Sequence, residues 1–309
     1  MNIIAAFFKL IRWPNLLFIA LTQVLFRFFI FHFVYHINTA TGNIIKLTTP
    51  LFVLLVIASV CIAAAGYIIN DYFDLNIDMV NKPSKLIVDR FIKRRWAIVL
   101  HIVLSFTGLV LSLYVGYKLS NFYIPFFNLI AILTLWFYST TFKKKFLIGN
   151  VLISLLTAWV ILVLMTAEYK FNINNTDVAW RRLIKVSFIY AGFAFIISLV
   201  REVIKDMEDL PGDSKYGCTT MPIVWGIQVS KVFVAVWLIV LIVVIALIQF
   251  YVIQFGWWFS ALYSIFAIII PLVWVLQKLY RAKTTAEFHT LSSAVKIVML
   301  TGILSMIFF

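Results

Sequence analysis

The sequence predicts an all-α fold: a multi-pass transmembrane bundle of about nine helices with a cytoplasmic cap carrying two Asp-rich motifs. Two bulk observations predict the bundle. Of the 309 residues, 64% are hydrophobic and 12% are charged, against about 25% charged in a soluble domain, and the mean hydropathy is +1.04. Apolar runs also recur at the ~20-residue length that crosses a bilayer as a helix. They are continuous rather than alternating over about 10 residues, which excludes membrane strands. With 17% aromatic residues, 11 Gly, 7 Pro and 2 Cys, the composition also excludes a disordered chain, a collagen-like fibre and a disulfide scaffold.

In chain order the spans are expected near residues 14–36, 48–70, 96–118, 121–138, 149–168, 185–205, 229–252, 255–277 and 290–308, within one domain covering 1–309. The opening MNIIAAFFKLIRWPNLL carries its charges inside an apolar run and offers no small-residue cleavage site, so it reads as a retained first helix rather than a cleaved signal. Cys61 lies inside a span and Cys218 in a polar loop, at different expected depths. Two free thiols are therefore expected. His32 and His36 are four apart near one end of the first helix without a carboxylate partner, and read as an interfacial pair. Trp257 and Trp258 read as interface aromatics.

The formal net charge of +14 sits mostly between the spans. With the N-terminus inside, one face receives Lys9, Arg12, Lys82, Lys85, Arg90, Lys93, Arg94, Arg95, Lys143, Lys144, Lys145, Lys215, Lys278, Arg281 and Lys283, whereas the other receives Lys46, Lys118, Lys170, Arg181 and Arg182. Fifteen against five predicts a cytoplasmic N-terminus and an outside C-terminus in the cell membrane. The basic balance is mainly topological and does not point to nucleic acid.

Eight of the 12 acids fall in two groups, Asp71, Asp74 and Asp78 in one and Glu202, Asp206, Glu208, Asp209 and Asp213 in the other. The first reads NDYFDLNID, from Asn70 to Asp78; the second reads KDMEDLPGD, from Lys205 to Asp213. Both follow an even-numbered span, so both are expected on the cytoplasmic side, facing each other, and both repeat Asp at relative positions 1, 4 and 8. At about 100° per residue, Asp71, Asp74 and Asp78 share a helix face of roughly 60°. Asp206 and Asp209 align with Glu202 while Glu208 points almost oppositely, which makes Glu208 the least favoured ligand. Pro211 and Gly212 are expected to end the helix before Asp213.

Carboxylates this dense repel one another unless a cation is bound among them. Hard oxygen donors suit Mg²⁺, which commonly takes few carboxylates and completes its shell with water and phosphate oxygens. Two such clusters at a membrane surface point to a metal-bound diphosphate. Lys82, Lys85, Lys143 to Lys145, Lys205 and Lys215 flank them as candidate neutralisers of phosphate charge.

On these residues the chain resembles the UbiA superfamily of intramembrane prenyltransferases. Asn70, Asp71, Asp74 and Asp78 match its first motif, and the resemblance continues through Asn81, Pro83 and Lys85, where the family commonly has Arg. It extends to Arg12, Pro14 and Asn15 at the first helix and to Tyr138, Ser139 and Lys143. The second motif, REVIKDMEDLPGD followed by GCTTMPIVWG, is most similar to the branch containing geranylgeranylglycerol-phosphate geranylgeranyltransferases.

The resemblance implies an Mg²⁺-dependent transfer of an isoprenyl group from an isoprenyl diphosphate to a lipophilic acceptor. It implies Asp71, Asp74, Asp206, Asp209 and Tyr138 as catalytic residues, and Arg12, Asn15, Asn70, Lys85, Lys143 and Lys205 on the diphosphate. Asp71, Asp74, Asp78, Asp206, Asp209 and Asp213 are the implied metal ligands. A prenylglycerol phosphate leads as acceptor, and an aromatic acceptor of hydroxybenzoate, homogentisate or naphthoate type is the alternative. Outside the enzyme class, a cation transporter also places acids in helices, but typically near the bilayer midplane. A scaffold binding a basic partner leaves the repeated spacing unexplained. The resemblance also implies that the prenyl tail lies in an apolar tunnel between helices, and membrane lipid is an expected partner of the chain.

Overall fold

The computed structural model describes residues 2–36, 45–81, 83, 86–169 and 178–309. Among the described residues nine helices are long and apolar enough to span a membrane, and extended pairing is limited to an isolated bridge between Val88 and Ile92.

Helix α1 (Ile3–Leu10) opens on Asn2, whose side chain accepts the Ala5 N–H at 2.9 Å and so satisfies one of the amide donors left over at a helix start. Arg12 then takes a left-handed conformation, φ 52°, and turns the chain into α2 (Trp13–Tyr35). Pro14 sits in the first turn, where no amide donor is needed. There follow α3 (Thr49–Phe73), α4 (Leu75–Asn81), α5 (Arg94–Lys118) and α6 (Tyr123–Thr140). After α7 (Ile148–Ala167) and α8 (Val178–Glu208) come two short helices, α9 (Leu210–Lys215) and α10 (Met221–Val224). The last spans are α11 (Gly226–Ile253), α12 (Trp258–Arg281) and α13 (Thr285–Phe308).

The spans thus fall close to the expected positions, with one difference worth an explanation. Helix α8 begins at Val178 rather than near 185, so Arg181 and Arg182 lie in its opening turns and not in a loop. Arginine is a good helix former whose long stem covers apolar surface while the guanidinium reaches water, so charge at a span's end does not stop the helix. Lys82, Lys85 and Lys170 lie outside the described residues. Both thiols are free, as expected.

The described chain divides into two compact units, residues 1–143 with 159–188, and 144–158 with 189–309. In the first unit α3 is packed by α5 and α6 through small residues. A Cβ on Gly108 of α5 would fall 2.7 Å from the Ile62 side chain, and one on Gly66 of α3 would fall 2.8 Å from Leu135. Close approach of helix backbones is the main source of association where lipid supplies no hydrophobic drive. Ala6, Leu10, Ile68, Leu75, Val88 and Ile92 form one buried cluster. It fixes α1 and the turn around residue 90 against the end of α3 that carries the first Asp motif. Elsewhere in this unit the buried Glu168 accepts the backbone N–H of Leu47 at 2.7 Å and of Lys46 at 3.0 Å, so that its charge is satisfied.

In the second unit Val200, Val203, Ile204 and Met207 of α8 pack with Leu238 of α11, Leu272 and Val275 of α12, and Val295 of α13. Lys231 of α11 donates to the Ala282 carbonyl and, at 3.4 Å, to that of Tyr280. It thereby caps the end of α12, where free carbonyls favour a cation. Thr284 and Glu287 form a reciprocal capping box that starts α13. These contacts hold the end of α8, and with it the second Asp motif, in a fixed setting.

Candidate active site

The first motif is carried by the junction of α3 and α4. Asp71 lies in the last turns of α3 and Asp78 in α4, while Asp74 stands at a bend between them. The sequence reading treats 71–78 as one uninterrupted helix. The break is slight, because Asp74 N–H still donates to Asn70 O at 2.9 Å and Asp78 N–H to Asp74 O at 2.8 Å. The i to i−4 ladder thus runs across the bend.

Two cations reach these carboxylates. Arg12 Nη2 donates to Asp71 Oδ1 at 2.6 Å, with its guanidinium 5.2 Å from the centre of the Tyr67 ring. Lys143 Nζ donates to Asp74 Oδ2, the same oxygen that receives the Asn70 amide at 2.6 Å. Asp74 is only 3% exposed. Burial alone would lower the pKa of Arg12 and of Lys143, but the Asp71 and Asp74 carboxylates outweigh it and raise both. Burial first, and then the Asp74 charge, push Asp78 up to about 6. Tyr138 lies close enough to Lys143 to add to its stabilisation, and Asn15 donates its backbone N–H to Arg12 O at 2.8 Å. The structure therefore gathers Arg12, Asn70, Asp71, Asp74, Asp78, Tyr138 and Lys143. Lys85 falls outside the described residues.

The second motif is built by α8 and α9. Asp206, in the last turn of α8, accepts from Asn150 Nδ2 at 2.8 Å. Lys205 is joined to Glu202 at 2.9 Å, and Arg201 reaches the other Glu202 oxygen at 3.1 Å. Asp209 sits at the bend after Glu208, its carbonyl accepting from Gly212 N–H at 3.2 Å and Asp213 N–H at 3.1 Å. Helix α8 does end before Asp213, as expected, stopping at Glu208, and a separate short helix follows. Proline occupies the first turn of α9, the helical position it tolerates best, and helix resumes with Asp213 buried in that turn. Glu208, the acid least favoured as a ligand from the sequence, is bound by His289 Nδ1 at 2.8 Å and Ser292 Oγ at 3.3 Å.

Sequence reasoning missed Asn150, His289 and Ser292. A polar residue at the start of an otherwise apolar span was the visible signal for Asn150, but its partner is 56 positions away, beyond the reach of any spacing rule.

Among the described residues no three of His, Cys, Asp and Glu converge into a complete metal cage. Mg²⁺ ordinarily takes only a few carboxylates and keeps water and substrate oxygens. The donor chemistry agrees, since the motifs offer carboxylate oxygens and no thiolate or imidazole. The carboxylates at hand are Asp71, Asp74 and Asp78 in one unit and Asp206, Asp209 and Asp213 in the other.

Together the fold and these residues define an intramembrane transferase, a multi-pass membrane enzyme. The model of the UbiA prenyltransferase family matches residues 28–297, and the chain belongs to that family. It is 30% identical over 295 residues to a digeranylgeranylglyceryl phosphate synthase from Sulfurisphaera tokodaii, covering 95% of this chain and 91% of that one. A solved structure concerning digeranylgeranylglyceryl phosphate synthase in membranes superposes with TM-score 0.62 at 24% identity over 99% of both chains. A UbiA homologue from Archaeoglobus fulgidus, solved with GPP and Mg²⁺ bound, has TM-score 0.56 at 14% identity, covering 97% of this chain and 99% of that one.

Proposed function

We propose that this prenyltransferase moves an isoprenyl group from an isoprenyl diphosphate to the hydroxyl of a prenylglycerol phosphate, with residues 1–309 acting as one catalytic domain. The observation that carries the reading is the pairing of Arg12 with Asp71 and of Lys143 with Asp74, in a chain whose near-full-length relative is named a digeranylgeranylglyceryl phosphate synthase. Carboxylates, an amide and two firmly charged cations at one helix end suit a diphosphate and its counter-ion.

The carboxylates of Asp71, Asp74 and Asp78, and separately those of Asp206, Asp209 and Asp213, would hold Mg²⁺, which would supply Lewis-acid charge to stabilise the diphosphate as it departs. Arg12, Asn70 and Lys143, with Asn15, Lys85 and Lys205, donate to phosphate oxygens and keep the leaving group oriented. The allylic carbon–oxygen bond breaks with its electron pair going to the diphosphate. Tyr138 presents aromatic density to the resulting cation. The acceptor hydroxyl oxygen then bonds to that carbon and releases its proton to the departed diphosphate. The apolar spans keep bulk water from the cation.

In this reading the N-terminus and both motifs form a cytoplasmic cap and the C-terminus lies outside, which the fifteen-to-five basic asymmetry supports. The test is to incubate purified protein with Mg²⁺, a panel of labelled prenyl diphosphates and both acceptor classes, and to identify products by mass. Formation of a prenyl ether of the glycerol phosphate, abolished by EDTA, is expected. Turnover only with neutral phenols would overturn the acceptor assignment.

A further inference from the structure

We infer that Asn150 is a positioning residue for the second motif: its amide locks the Asp206 carboxylate in the orientation that leaves one oxygen directed to a divalent cation. The inference rests on the reading of Asp206 as a metal ligand, and goes beyond it by assigning the group that aims that ligand.

Asn150 is 7% exposed at the start of α7. Its Nδ2 donates to Asp206 Oδ2 at 2.8 Å, which occupies one carboxylate oxygen with a neutral donor and leaves Oδ1 without a competing bond from it. Several contacts fix where that amide stands. Thr219, downstream of the second motif, donates through both its N–H (2.7 Å) and its Oγ1 (2.9 Å) to the Lys144 carbonyl. The Phe146 ring lies 4.6 Å from that of Trp225. Leu147 takes a left-handed φ of 55°, a conformation that non-glycine residues adopt only when their surroundings hold them there. The segment 144–150 is thus stitched to the chain that follows the motif, and Asn150 is delivered to Asp206 by tertiary structure. A ring of outer donors that orients metal-ligating carboxylates typically governs metal affinity by about 10- to 100-fold.

The experiment uses Mn²⁺ as a paramagnetic stand-in for Mg²⁺, titrated into the detergent-solubilised full chain and read by electron paramagnetic resonance. N150A and the near-isosteric N150D are compared with wild type, D206A and the double variant N150A/D206A, and thermal midpoints without metal check folding. The expected result is Mn²⁺ binding weakened about 10-fold or more in N150A, further in N150D, and no worse in the double variant than in D206A. Should N150A fail to fold, N150D carries the comparison. If D206A weakens binding but the folded Asn150 variants do not, or if the two losses multiply in the double variant, the positioning role is wrong while the metal reading stands. If wild type binds no Mn²⁺, or D206A binds it as well as wild type, the metal reading fails and takes this inference with it.

Discussion

Lys143 and Asp74, 69 positions apart in the chain, share a direct hydrogen bond, and the same Asp74 oxygen also receives Asn70. Breaking a largely buried ion pair by removing one partner leaves the other desolvated and uncompensated. Lys143→Met is therefore expected to lower activity at least 100-fold and stability by on the order of 2 kcal/mol, part of the buried-pair cost being relieved by solvent. Lys144→Ala, whose side chain is exposed, is expected to change either by less than a factor of three. Diphosphate release and thermal melting check both, and equal damage at the two lysines would refute the distinction.

Asp71→Ala and Asp206→Ala are expected to abolish diphosphate release in a folded protein, each costing on the order of 3 kcal/mol or more of transition-state stabilisation. Glu208→Ala should leave turnover within about tenfold while lowering the thermal midpoint, because it unties α8 from His289 and Ser292. Steady-state kinetics beside melting curves separate the effects. A Glu208 variant as inactive as one at Asp209 would show that both belong to the reacting centre.

Much of this was legible beforehand, and the reason is physical. A span announces itself by length and apolarity, because the bilayer accepts little else, and carboxylates recurring at intervals of three and four announce a shared helix face. What a single chain cannot announce is which distant group meets that face. Asn150 looks like any helix-start asparagine, and His289 like any polar residue at a span's end. Pro211 shows how far such a cue reaches: α8 ends ahead of it, at Glu208, as its presence predicts, but that the proline then opens a further short helix is decided by the bend at Asp209.

Asp78 gives a pH signature. Its pKa in the metal-free fold is raised to about 6 by burial and by Asp74, so the native state binds a proton that the unfolded chain has already lost. The resulting stability is fully present below the ordinary carboxylate value and is lost as pH rises through about 6. Metal-free wild type should therefore lose melting temperature from about pH 4 to pH 6, and Asp78→Asn should reduce that loss. Mg²⁺ favours the ionised carboxylate, so its binding near pH 6 should release protons, measurable calorimetrically in buffers of different ionisation enthalpy. A flat wild-type profile with no proton release would exclude the raised value.

Orientation can be read by labelling. In a background lacking Cys61 and Cys218, a cysteine at the exposed Lys144 should resist impermeant reagent in intact cells, and one at the exposed Gln254, between α11 and α12, should react. The reverse pattern would invert the topology.

The left-handed backbone at Arg12 has a consequence for anyone breeding a hardier version of this protein. An L-residue held in that conformation carries a penalty of about 1 kcal/mol that glycine escapes. Glycine at position 12 would relieve that penalty but, in the same step, strip Asp71 of its guanidinium and leave a part-buried carboxylate without its 2.6 Å partner. The strain at position 12 is thus tied to the ion pair it delivers, so a screen at this position must score turnover alongside melting.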